Sequence, residues 1–564
     1  MPTLFKRKTT LLALTGAVAF ALSGCNSSSS DSTPAPTPVP VPASSTATPI
    51  KHIVVIFQEN VSFDHYFATY PVATNPAGEP AFTAASGTPA VNGLNGSLLT
   101  ANPNKTNSAN GTGAVNPFRL DRSQAATADQ NHAYPAEQLA FDGGLMDLFP
   151  KNTGTASSGG AGAFGTNGQV MGYYDGNTVT AMWNYAQRFA MSDNSFNTTF
   201  GPSTPGAINL VSGQTNGAVG DVKSGFAADG AYDEYTDGNG NTAATLVPDG
   251  NGGYTATDDD DPTGDVCSGA PTFHMTGKNI GDLLNAQGIT WGFFEGGFDL
   301  TVKNANGTTG CGRTSTSTYV GKAKVDYIPH HQPFQYYAST ANPNHTRPTS
   351  PAVIGTSNDG GANHQYDTHD FFDAVNAGNL PAVSFVKAPG YQDGHAGYST
   401  PLDEQNFVVN VINTLQQSQF WSNTAVVIMY DDSDGWYDHA STIVNGSNIP
   451  LAGYDALANC TSARTPVLPG VTGSGKPVQG RCGYGPRLPL LVISPYAKQN
   501  YVDHTLTDQT SVLRFIEDNW LNGQRIAGSF DSQAGTIQNM FNFSATPNTT
   551  PLILGVNTGT VGGN

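Results

Sequence analysis

The sequence predicts an α/β fold built around a largely parallel sheet. Three observations carry that prediction. Five short runs are almost continuously apolar: "KHIVVIF" (51–57), "ITWGFFEG" (289–296), "AVSFVKAP" (382–389), "TAVVIMY" (424–430) and "LPLLVISP" (488–495). Alternating polarity would mark a sheet with one wet face, whereas unbroken runs mark strands covered on both faces. Five segments of helical period lie among them: "TAMWNYAQRFA" (180–190), "NIGDLLNAQG" (279–288), "DTHDFFDAVNAG" (367–378), "EQNFVVNVINTLQQS" (404–418) and "TSVLRFIEDNWL" (510–521). Buried strands alternating with helices imply crossovers between parallel neighbours. In such sheets chemistry gathers outside the carboxyl ends of the strands.

Composition narrows the setting. Only 12% of the 564 residues are charged, while 65 Gly and 37 Pro contribute to a neutral, loop-rich surface that suits an exported protein. The net charge of −19 comes without basic clusters, so no nucleic-acid partner is expected. An anionic ligand would need a local cationic or metal-based trap.

The first segment reads as an export signal. Lys6, Arg7 and Lys8 precede the apolar run "LLALTGAVAFALSGC", which is too short for an ordinary membrane span. Its end, Leu22-Ser23-Gly24-Cys25, resembles a bacterial lipobox, in which the Cys carries the lipid. The expected division is a lipoprotein signal peptide over 1–24, then a Ser/Pro-rich tether over 25–49 starting at the lipid anchor Cys25. Asn26 after the Cys favours the outer membrane, facing periplasm or cell surface. A single domain is expected over 50–545, with a tail over 546–564 that looks frayed.

Four cysteines remain beyond Cys25: Cys267, Cys311, Cys460 and Cys482. An even number in an exported chain suggests two disulfides. Three pairings are possible. The local one, 267–311 with 460–482, is preferred because each bond closes a Gly/Asn-rich loop. Residues 213–280 carry neither helical nor strand period and read as an insertion at the sheet edge. Within it Asp258 to Asp261 lack the spacing of a calcium loop, and a solvated acidic loop is expected.

Chemistry concentrates at two strand ends. "KHIVVIF" runs straight into Gln58-Glu59-Asn60, and "TAVVIMY" into Asp431-Asp432-Ser433-Asp434-Gly435. Asn60 alone reads equally well as a helix cap. Glu59, Asn60, Asp431 and Asp432 together form a set of hard oxygen ligands suited to one divalent cation of open identity. "FGPSTPGAIN" (200–209) supplies a hydroxyl. With Pro205 at the first helical position, Thr204 is the expected cap and Ser203 is left free. A helix start there gathers free N–H groups that attract anions, and Gly201 and Gly206 permit close backbone approach. Twelve histidines are present. His132, His330, His331 and His395 are candidates to hold or protonate a phosphate, with His395 best placed because it follows a strand. His439 and His504 read equally as structural.

These stretches together resemble the bacterial phosphoesterase family that joins phospholipases C with broad-specificity acid phosphatases. The resemblance rests on "KHIVVIFQENVSFDHYF" (51–67), "VVIMYDDSDGWYDH" (426–439) and "GPRLPLLVISPYAK" with "YVDHT" and "DQTSVLRFIE" (485–517). It implies an alkaline-phosphatase-like three-layer α/β/α fold. It also implies a metal held by Glu59, Asn60, Asp431 and Asp432, a nucleophilic hydroxyl at Ser203, and a phosphate pocket lined by His132, His330, His331 and His395. Phospholipase C members usually read Pro-Asn-Arg after the nucleophile, where this chain has Pro205-Gly206-Ala207. Many also carry Glu-His where it has Asp432-Ser433. Both departures weigh against phospholipase specificity, and "GPSTPGA" looks more like the acid phosphatase branch, which implies a phosphate-monoester substrate. A phospholipase C acting on lipid headgroups is the alternative, and a non-catalytic surface lipoprotein is a third reading.

Overall fold

The computed structural model describes residues 46–221, 253–441 and 484–562, with short strands at Glu234–Thr236, Thr242–Ala244 and Leu246–Pro248. Cys25, Cys460, Cys482, the expected signal peptide and most of the expected tether lie outside the described residues. Eight strands form the central sheet. In chain order they are β1 (His52–Gln58), β2 (Ala190–Ser192), β3 (Trp291–Glu295), β4 (Gln365–Asp367), β5 (Val383–Lys387), β6 (Thr424–Tyr430), β7 (Leu490–Ile493) and β8 (Tyr501–Asp503). In space they run β4-β3-β5-β1-β6-β7-β2-β8. Only β7 is antiparallel to its neighbours. All five apolar runs are strands of this sheet. The three strands not foreseen, β2, β4 and β8, have three residues each, too few to show a period.

Every residue of β6 is buried, and so is all of β1 after its first residue. A sheet so covered needs layers on both faces. The helices supply them: α1 (Phe63–Phe67), α2 (Tyr134–Phe141), α3 (Thr180–Arg188), α4 (Ser203–Ser212), α5 (Ile280–Ala286), α6 (Thr368–Asn376), α7 (Pro401–Gln417) and α8 (Thr510–Trp520). They fall into packing groups, α4 with α5 and α8, and α3 with α7. Several begin where the chemistry of capping dictates. Asn279 caps α5 and Asp367 caps α6, each in a reciprocal box with the acid three residues on.

Two regions differ from expectation. Residues 213–280 contain strands rather than bare loop. Ala218–Gly220, Asp261–Pro262 and Thr272–Met275 form a three-stranded sheet, and Tyr254–Ala256 pairs with Leu246–Pro248. Strands of two to four residues are too short for their period to be read. Cys267 is bonded to Cys311, as the preferred local pairing has it. The segment after 545 is not frayed. Leu554 is buried, and the amides of Asn413 and Gln416 pair with the backbone at Leu554 and Leu552 as a neighbouring strand would. Among the described residues no helix is long and apolar enough to cross a membrane.

Candidate active site

Three adjacent parallel strands end side by side. β5, β1 and β6 deliver Lys387, Glu59 and Asp431 to one edge of the sheet. Asn60 follows at a positive φ of 62°, a turn that Asn tolerates well. Its backbone N–H donates to Asp431 Oδ1 at 2.9 Å, which ties the two strand ends together. Asp432 N–H donates to the same oxygen at 2.7 Å. All four acidic and amide side chains are at most 1% exposed.

Helix α4 presents Ser203 to this edge. The Ser203 hydroxyl lies 3.0 Å from Glu59 Oε2 and 3.2 Å from Asp432 Oδ2. The helix starts two residues earlier than the sequence suggests. Pro202, not Thr204, holds the cap position, and Ser203 is the first helical residue. Pro205 still fits in the first turn, because N–H groups there have no intrahelical acceptor. The buried Thr204 hydroxyl makes none of the contacts of Ser203. Ser203 is thus brought to the carboxylates as expected, although not because Thr204 caps.

The expected cradle of free N–H groups is smaller than the sequence implies. Thr204 N–H donates to Asp259 Oδ1 at 2.8 Å, and Pro205 has no N–H to offer. The acidic run is therefore not a solvated loop. Asp261 Oδ1 lies 3.2 Å from His330 Nδ1, and the Asp260 carbonyl accepts from the Tyr336 hydroxyl at 2.5 Å. Burial and the charge of Asp259 push the Asp258 carboxyl up to about 7.

The four predicted histidines converge on the same pocket. His331 Nδ1 lies 3.3 Å from Glu59 Oε1, and burial together with Lys387 holds its pKa well below the ordinary value. His395 directs Nδ1 to its neighbour's carbonyl, Ala396 O at 2.7 Å, and burial pushes it down to about 4. His132 directs Nδ1 to Gln130 O at 2.9 Å and lies 3.3 Å from Asp434 Oδ1. Burial pulls its pKa down, but Asp432 and Asp434 pull harder, and the net shift is upward. His330 behaves likewise through Asp259 and Asp261. Burial thus biases His331 and His395 toward the neutral form, while nearby carboxylates bias His132 and His330 toward the cation. His439 and His504 instead bond Asp64 and Asp193 at 2.6 and 2.7 Å, in structural roles.

The donor set fits a divalent cation. Asn60 Oδ1 and Asp431 Oδ2 are buried oxygens without a hydrogen-bond partner, an arrangement that is costly unless a cation completes it. Glu59 and Asp432 stand beside them, both with pKa values raised by burial and then by the Asp431 charge. Hard oxygens in this number suit such an ion. Among the described residues, three other groupings bring one ligand atom from each member within 4.8 Å of the rest: Asp129, His132, His395 and Asp434; Asp265, Cys267 and His345; and Asp64, Asp438 and His439.

The profile of the phosphoesterase family matches residues 50–521. The chain belongs to the phosphoesterase family. It is 25% identical over 89% of its length to the non-hemolytic phospholipase C of Pseudomonas aeruginosa, and the match spans 58% of that protein. Phospholipase C A of Mycobacterium tuberculosis is 23% identical over 89% of this chain and 79% of its own length. A segment covering 25% of the chain is 33% identical to 18% of the hemolytic phospholipase C of Pseudomonas aeruginosa.

The phosphoesterase site includes residues that sequence reasoning passed over. Lys387 is 1% exposed, and its ammonium bonds Glu59 Oε1 and lies 4.0 Å from Asp431 Oδ2. It was hidden as the one charge at the end of an apolar run. Asp434 accepts from Asn60 Nδ2 at 3.1 Å, and burial pushes its carboxyl up to about 8. Its place in Asp-Asp-Ser-Asp-Gly was the available signal. Glu137, on α2, accepts from Ser433 Oγ at 2.6 Å and Gly201 N–H at 2.9 Å, bracing both loops that carry the site. Nothing in its local sequence marks it.

Proposed function

We propose that this phosphoesterase is an exported acid phosphatase that hydrolyses phosphate monoesters through Ser203. The observation that carries the reading is the Ser203 hydroxyl, placed at the head of α4 between the carboxylates of Glu59 and Asp432. Glu59, Asn60, Asp431 and Asp432 would hold one divalent cation, which supplies Lewis acidity to lower the hydroxyl pKa and neutralise phosphate charge. Either carboxylate beside Ser203 is placed to take its proton. The Ser203 oxygen then bonds phosphorus while the bond to the leaving oxygen breaks. His330, whose pKa is raised by Asp259 and Asp261 and which is the most exposed of the four histidines at 25% of its side chain, would protonate the departing alkoxide. The neutral imidazole it becomes can accept a proton from the water that releases phosphate from Ser203. His132, whose pKa is also raised, would donate to the equatorial oxygens.

The monoesterase reading is supported by Gly206. A Cβ there would lie 2.1 Å from the Asp431 carbonyl oxygen. The Asn that the phospholipase C branch usually carries at this position would not fit so close an approach. The names of the relatives favour a second reading, phospholipase C. Turnover of p-nitrophenyl phosphate against phosphatidylcholine vesicles, each with and without a chelator, separates the two. Preferential, chelator-sensitive release of p-nitrophenol is the expected result, and diacylglycerol as the dominant product would overturn it. Lipid attachment at Cys25 and residence in the outer membrane belong to the same proposal. A Cys25→Ser variant is expected to leave the membrane fraction.

A further inference from the structure

Lys387 stands at a peculiar place for a lysine. It ends β5, the strand beside β1, and its ammonium reaches back over the Phe57 ring, 5.1 Å from the centroid, to Glu59. On the far side lies Asp431 Oδ2 at 4.0 Å, a buried oxygen left without a hydrogen bond. On its other flank the partner in register is Glu295, also fully buried, whose Oε2 has no hydrogen-bond partner. The ammonium thus occupies Glu59 Oε1, an oxygen that a metal would use.

We propose that Lys387 is a resident counter-cation of the metal pocket, a positioning residue that weakens metal binding by competing for Glu59. The inference rests on the metal-dependent reading of the site given above. Glu59, Asp431 and Asp432 crowd one strand edge, and Lys387 offsets part of their negative charge from beside Glu59. Without the ammonium an incoming ion would meet stronger attraction and no rival for Glu59. The ammonium also keeps the empty pocket foldable, since three buried carboxylates without a cation repel one another.

The test is metal binding by the chelator-stripped full chain, followed by calorimetry and by competition against a fluorescent chelator with Zn²⁺, Mn²⁺ and Ca²⁺ in turn. The wild type is expected to take one ion. Lys387→Met is expected to bind it about tenfold or more tightly, while its metal-free form melts at a lower temperature and recovers when the ion is added. Lys387→Arg keeps the charge and is expected to stay within about threefold of the wild-type dissociation constant. If Lys387→Met proves unstable without metal, chelator competition starting from the loaded form reads the same constant. An unchanged or weaker dissociation constant in Lys387→Met overturns the proposal while leaving the metal-dependent reading intact. A wild type that binds none of the three ions overturns both.

Discussion

Replacing Gly206 with Ala separates helix propensity from site geometry, because the two predict opposite signs. Ala is the better helix former by about 1 kcal/mol, so propensity alone expects a stabilised protein. The structure expects the reverse. The new Cβ would lie 2.1 Å from Asp431 O, 2.7 Å from Asp431 C and 3.0 Å from Asp431 Cα. That carbonyl cannot retreat, since Asn197 Nδ2 and Gln509 Nε2 hold it at 2.9 and 2.5 Å. Relief to an ordinary carbon–oxygen distance of about 3.3 Å requires α4 to move by about 1.2 Å. The Ser203 hydroxyl, 3.0 Å from Glu59 and 3.2 Å from Asp432, is then carried beyond hydrogen-bond reach. We expect a net loss of about 1–3 kcal/mol in stability and about a 100-fold fall in kcat. Thermal melts and p-nitrophenyl phosphate kinetics read the two effects. Gly312→Ala, where an added Cβ meets nothing within 4 Å, serves as the control. A Gly206→Ala enzyme that melts higher and turns over normally would refute the close approach of α4 to β6.

Three further outcomes are expected. Ser203→Ala should lower kcat by about 10³-fold or more, whereas Thr204→Val should cost less than about tenfold; comparable losses would remove Ser203 from the nucleophile's role. Carboxylates raise the pKa values of His132 and His330 above the ordinary 6.5, so both imidazolium charges persist through slightly acidic pH and are lost as pH climbs past the raised values. Turnover should follow them down on the alkaline side, and an optimum above about pH 9 would contradict their use as acids. Arg487 is fully buried and bonds Asp438 and Asp64 at 3.1 and 3.0 Å. Arg487→Met should therefore cost about 3–5 kcal/mol in chemical denaturation, and a loss below about 1 kcal/mol would show that the two aspartates find other partners.

The strands and helices that mattered were legible because burial on both faces leaves an unbroken apolar signature. Direction was not: β7 runs against its neighbours, yet "LPLLVISP" looks like the parallel strands, since both kinds bury alike. Ser203 was legible from proline and glycine placement, although the cap fell two residues away, at Pro202. The candidate metal ligands stood at strand ends, where topology converts position into proximity. Lys387 shared that position but was masked by its run. The acidic residues 258–261 were misread because solvation was inferred from their neighbours in sequence. Their actual partners are distant, with Asp259 55 residues from Thr204 and Asp261 69 from His330.

The pairing of residues 549–556 with α7 has a consequence for how the domain is assembled. The amides of Asn413 and Gln416 wait for partners made 141 and 136 residues later, and the Trp421 indole for one 128 residues later. During synthesis this helix is therefore complete long before its outer surface is closed. A nascent chain can already hold the strand ends and Ser203 while one flank is still open to water and chaperones. Truncation near residue 545 would preserve every candidate site residue and still leave a protein arrested at that last step.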